Sequence, residues 1–212
     1  MISILIAVLI AAEGVFTGID CYQKYHHQKR WFKGLLMPVI MVLYTFLFKE
    51  FRILQMLAMI AGWLGDLFLL RDEKPYFLAG CLSFMAGHIL YGILYFQEID
   101  LSLMPRLLLL SGAAYMLYAS LVYRRLKPYI PSDFKGYALF YMFFITLMSF
   151  TALMRLGSVP HGSWLLTWIG SMVFMVSDTL VAFEKFVNPD LKGVMETYVP
   201  AQMLLMCGAA IH

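Results

Sequence analysis

The sequence predicts an all-α polytopic membrane bundle of about eight transmembrane helices, forming one domain over residues 1–212. Three observations predict it. Residues of the set AVILMFWYC make up 62% of the chain and DEKR only 14%, so a water-soluble protein of this length would lack the polar surface it needs. The apolar residues form continuous runs rather than alternating, which suits helices that satisfy their own backbone in lipid and excludes an open sheet. A crossing needs roughly 20 mostly apolar residues, and the runs approach that length.

In order, and bounded by charges or by Pro and Gly, the runs fall at 2–19, 31–48, 53–70, 76–96, 103–123, 137–154, 164–183 and 195–211. The first has no Lys or Arg ahead of it, carries Glu13 and is followed by further runs, so it reads as a helix and not as a cleavable signal peptide. The eighth is the shortest. The third and seventh carry related phrases, Gly65-Asp66-Leu67-Phe68 and Ser177-Asp178-Thr179-Leu180, a match too short to separate a parallel repeat of four-helix halves from chance.

The formal charge of +3 comes from scattered loop residues, without the basic stripe that nucleic acids require. Cys21, Cys81 and Cys207 show no metal-binding spacing and read as core thiols. Short cytoplasmic loops collect lysine and arginine. With the N-terminus outside, the inner loops hold Lys24, Lys29, Arg30, Lys33, Arg71, Lys74, Arg124, Arg125, Lys127, Lys135, Lys185 and Lys192, twelve of the sixteen basic residues. Lys49, Arg52, Arg106 and Arg155 remain outside. Both termini are therefore expected on the non-cytoplasmic side of a membrane, here a bacterial inner membrane.

A charge in hydrocarbon is costly, so ionisable residues inside the runs mark the working site. Three are carboxyls: Glu13, Asp66 and Asp178. Counted from the inner ends of their runs, all three lie roughly 6–9 Å below the cytoplasmic boundary at the helical rise of 1.5 Å per residue. Gln202 reaches the same level, with Tyr198 one turn away on the same face. His88 lies deeper, roughly 18–20 Å into the fourth run, with Tyr91 one turn beyond. This common depth points to a cavity opening to the inner face. Glu13 has a structural reading as well, since Gly14 and Gly18 beside it form a small-residue pattern suited to close helix packing.

A metal hydrolase needs three or four converging ligands. His26 and His27 fall in a loop, His161 near the opposite face and His212 at the end of the chain, which leaves His88 alone. There is no Gly-x-Ser-x-Gly elbow, no phosphate-cradling glycine loop and no His-Cys pairing. No metal and no cofactor are expected. Carboxylate acid–base chemistry remains, in which two carboxyls in one apolar pocket divide the acid and base roles.

Gly65-Asp66, Gly80 with Phe84, Gly87-His88, Tyr91, Ser177-Asp178 with Phe183, and Tyr198 with Ala201-Gln202 together resemble the lysoplasmalogenase family, also called YhhN-like. One departure lies in the second helix, where the family pattern has Lys-Pro and this chain has Met37-Pro38, with Lys33 four residues earlier on the same face. The resemblance implies a metal-free eight-helix enzyme that hydrolyses the vinyl-ether bond of lysoplasmalogens to a fatty aldehyde and a glycerophospho head group. Its substrate is then a lysophospholipid drawn from membrane lipids. Asp66 and Asp178 are the expected catalytic pair, supported by Glu13, His88, Tyr91, Tyr198 and Gln202. Lys33, Arg71, Lys74, Lys185 and Lys192 are expected near the phosphate. The rival class is a proton- or cation-coupled transporter or lipid flippase, which would use the same carboxylates without releasing aldehyde. Head-group preference and oligomeric state leave no mark in the sequence.

Overall fold

The computed structural model describes residues 2–26, 30, 32–48 and 52–211, with the backbone alone at residues 2–7 and 9. His27, Lys29, Lys49 and His212 lie outside the described residues. Among those described there are eight α-helices and no strand: α1 (Ile2–Tyr25), α2 (Lys33–Leu47), α3 (Ile53–Phe68), α4 (Lys74–Gln97), α5 (Ser111–Leu126), α6 (Lys135–Met154), α7 (His161–Phe186) and α8 (Val194–Ala210). Short 3₁₀ turns lead into α5 and α6. Among the described residues, four stretches are long and apolar enough to cross a membrane, namely α4, α5 with its lead-in turn, α6 with its lead-in turn, and α7. The helices α2 and α3 are apolar but shorter.

Helix ends and run ends differ. The run at 2–19 continues as helix to Tyr25 and that at 164–183 to Phe186, whereas α3 stops at Phe68. Polar residues such as Asp20 and Lys24 extend a helix without breaking its hydrogen-bond ladder, so an apolar run marks what lipid tolerates and not where the helix stops.

The chain divides into two compact units, Met1–Leu90 and Tyr91–His212, with the boundary inside α4. In the first, α2 packs on both α1 and α3. Pro38 has no N–H to offer the carbonyl four residues back, that of Gly34. The Trp63 indole of α3 donates to that carbonyl at 2.8 Å, restoring a bond worth about 1 kcal/mol and tying the start of α2 to α3. Farther along α3, the Gly65 position lies against the Phe84 ring of α4, where a Cβ would come within 2.6 Å. Among the described residues, a Cβ added at Gly14 or Gly18 meets nothing within 4 Å, so neither glycine is needed for a close helix approach there.

In the second unit α7 and α8 form an antiparallel hairpin. Ser163 donates to the Gly208 carbonyl at 2.6 Å at one end, and Ser177 donates to the Val194 carbonyl at 3.2 Å at the other. Gly193 starts α8 from the left-handed region at φ 100°, which a side chain would strain. A polar seam joins α5, α6 and α7: Tyr115 Oη lies 3.0 Å from Ser149 Oγ, Ser149 Oγ lies 2.8 Å from Ser171 Oγ, and Trp168 donates to Tyr115 at 3.1 Å. Such hydrogen bonds hold helices together in lipid, where apolar surface supplies no preference for helix over lipid. Leu107, Met116, Leu117 and Leu121 around α5, with Phe140 and Phe143 of α6, are exposed, as a lipid-facing surface requires.

Candidate functional site

Three of the predicted residues come together in the first unit. Trp63 holds the first turn of α2 against α3, and the residue before its acceptor is Lys33. One turn beyond Trp63 on α3 is Asp66, so the same contact that compensates Pro38 sets Lys33 facing Asp66. Lys33 Nζ stands 3.4 Å from Asp66 Oδ1, with the two side chains 6% and 2% exposed. Lys33 is thus buried on a carboxylate, whereas the sequence places it at a lipid head group. Glu13 of α1 is also buried, at 1% exposure, and Asp66 is its electrostatic neighbour. Neither oxygen of its carboxyl group has a hydrogen-bond partner among the described residues.

A second ion pair adjoins this cluster. Asp20, fully buried near the end of α1, accepts from Arg30 Nε at 3.0 Å and from Arg30 Nη2 at 2.5 Å. Both Asp20 and Arg30 act electrostatically on Lys33. This pair escapes sequence reading because Asp20 lies one residue past an apolar run and Arg30 in a loop, where charges are ordinary. His88 is buried at 1% exposure on α4 in the same unit.

The second unit positions Asp178 on α7, half-buried, where the Tyr141 hydroxyl of α6 donates to its Oδ2. Next along α7, Thr179 Oγ1 lies 2.6 Å from Tyr118 Oη of α5, so two tyrosines converge near the carboxylate. Tyr198 and Gln202 are buried on α8, the Gln202 amide donating to the Tyr198 hydroxyl at 3.3 Å, as their one-turn spacing predicts. Tyr91 is buried and stacks on Tyr95, with ring centroids 5.8 Å apart. Arg71, Lys74, Lys185 and Lys192 are exposed, with Arg71 lying over the Tyr76 ring at 4.5 Å.

The sequence counts Arg155 among solvated loop charges, and the structure corrects this. It closes α6 with no exposure, its Nη2 2.6 Å from Glu98 Oε2 and 3.0 Å from Ser163 Oγ, and its Nη1 2.5 Å from Thr167 Oγ1. The guanidinium also lies 4.9 Å from the Tyr95 ring centroid. Five donors in a rigid fork let one arginine engage several helices at once. No signal in the sequence separates it from a solvated arginine at a run end.

Long apolar helices carrying buried, partnered carboxylates define a helical membrane protein with an ionisable interior. Within that class, the YhhN family model matches residues 28–209, and the chain belongs to the YhhN family. Among curated proteins it is similar to Lysoplasmalogenase TMEM86A of Bos taurus, 30% identical over 152 residues that cover 69% of this chain and 60% of that protein. Lysoplasmalogenase TMEM86A of Homo sapiens is 28% identical over 152 residues, covering 68% and 60%. The match thus spans about three fifths of the curated relatives' length. No solved structure matches.

Proposed function

We propose that this protein is an integral membrane lysoplasmalogenase, hydrolysing the vinyl-ether bond of an alkenyl-glycerophosphocholine or alkenyl-glycerophosphoethanolamine to a fatty aldehyde and a glycerophospho head group. The observation that carries the reading is the buried Lys33–Asp66 pair in a chain whose curated relatives bear the name lysoplasmalogenase. Protonation of the vinyl β-carbon creates an oxocarbenium ion, water captures it, and the hemiacetal collapses. Two carboxylates favour that sequence. Asp66, paired with Lys33, steadies the cation and takes a proton from the attacking water. Asp178, held by the Tyr141 hydroxyl, is the second catalytic carboxyl of this reading.

In the same reading all eight helices cross the membrane as one functional domain, and both termini face away from the cytoplasm. His88 in the first unit, and Tyr91, Tyr198 and Gln202 in the second, support substrate binding, and Arg71, Lys74 and Lys192 meet the phosphate. The carboxylates of a transporter need no such reaction, so the test is chemical. Purified protein with a lysoplasmalogen in D₂O should release aldehyde bearing one deuterium on the carbon next to the carbonyl. Transport without aldehyde refutes the enzyme reading, and aldehyde without deuterium refutes β-carbon protonation.

A further inference from the structure

Of the three intramembrane carboxyls that the sequence singles out, two have a donor committed to them. Lys33 serves Asp66 and Tyr141 serves Asp178. Glu13 has neither: at 1% exposure it offers two oxygens that accept nothing among the described residues. Close helix packing explains this poorly, because a Cβ added at Gly14 or Gly18 meets nothing within 4 Å among the described residues. The Thr17 hydroxyl donates to its backbone carbonyl, at 2.8 Å, and not to its carboxyl group. A bare negative charge there, beside Asp66, is strongly disfavoured, whereas a neutral carboxylic acid carries its own proton and needs no counter-ion.

From these contrasts we infer that Glu13 is the proton donor of the vinyl-ether reaction, and that the two aspartates both serve as carboxylates; the inference rests on the function proposed above. The protons balance over one turnover. The Glu13 carboxylic acid gives its proton to the β-carbon, forming a C–H bond while the π pair leaves the double bond and the oxocarbenium ion appears. Water adds to the cationic carbon and loses a proton to Asp66. In the collapse Asp66 returns that proton to the departing glycerol oxygen as the C–O bond breaks, and the hemiacetal hydroxyl gives its proton to the Glu13 carboxylate. Net, one water is consumed and both groups regain their starting states.

The test uses the full-length protein in detergent–lipid micelles, with an alkenyl-glycerophosphoethanolamine as substrate and its saturated alkyl ether as a non-reacting analogue. Glu13→Gln should lower aldehyde release by roughly 10²–10⁴-fold while binding the alkyl ether as the wild type does. Dicyclohexylcarbodiimide, which attacks carboxylic acids and spares carboxylates, should label Glu13 of the wild type, abolish turnover in step with labelling, and be blocked by the alkyl ether. This readout needs no variant and decides the matter even if Glu13→Gln does not fold. Folded Glu13→Gln within a few-fold of wild-type turnover, or inactivation with the label on another carboxyl, overturns the assignment. Those outcomes leave the proposed function standing, whereas a wild type that releases no aldehyde removes both.

Discussion

Replacing Lys33 by Met leaves Asp66 as a buried carboxylate without its ammonium. Both side chains are nearly fully buried at a separation of 3.4 Å, so neither water nor salt screens the loss, and breaking such a pair costs about 3–5 kcal/mol. That lowers the folded-to-unfolded ratio by roughly two to almost four orders of magnitude. For a chain of this size it lowers the midpoint of thermal unfolding by about 6–20 °C. Replacing both partners with apolar residues, as in Lys33→Met/Asp66→Leu, removes the orphaned charge and should return stability to within about 1 kcal/mol of wild type. Activity should not return, because the carboxylate is gone. Unfolding followed by tryptophan fluorescence in detergent gives the first quantity and aldehyde release the second. Two results refute the reasoning: Lys33→Met unfolding within 2 °C of wild type, which makes the pair energetically idle, or the double variant hydrolysing substrate.

The other expected outcomes concern chemistry and packing. Asp66→Asn and Asp178→Asn keep shape but lose charge, and each should reduce turnover by at least roughly 10²-fold; the double variant should lose far less than the product if the two groups serve one step, and near wild-type rates in both folded single variants would make these aspartates structural. Arg155→Met removes the ion pair to Glu98 and the hydrogen bonds to Ser163 and Thr167, with an expected cost of about 3–5 kcal/mol; a double-mutant cycle with Glu98→Gln measures the coupling, and additive effects would show that the pair contributes nothing. Gly208→Ala puts a Cβ 2.6 Å from the Thr167 backbone nitrogen, forcing α7 and α8 apart at about 1–3 kcal/mol; an unchanged unfolding midpoint would contradict that contact.

The helices were legible because lipid leaves the backbone no other way to satisfy its polar groups. A run of apolar residues therefore announces both its environment and its conformation. Asp66, Asp178 and Glu13 were legible for a related reason: the cost of charge in hydrocarbon makes each conspicuous without knowledge of its neighbours. Family membership followed from the order of such residues along the chain and needed no contact between them. What each carboxyl does was not legible, since that depends on the group facing it. Lys33 reads as an interfacial cation until α2 and α3 are docked through Pro38, Gly34 and Trp63. Arg155 reads as a loop charge until Glu98, Ser163 and Thr167 close around it. Tyr141 and Asp178 stand 37 residues apart on different helices, and Asp20 and Arg30, only 10 apart, fall on either side of a helix end. In each case the residue types are visible in one dimension, but the pairing exists only where tertiary packing brings the two partners together and withdraws at least one of them from water.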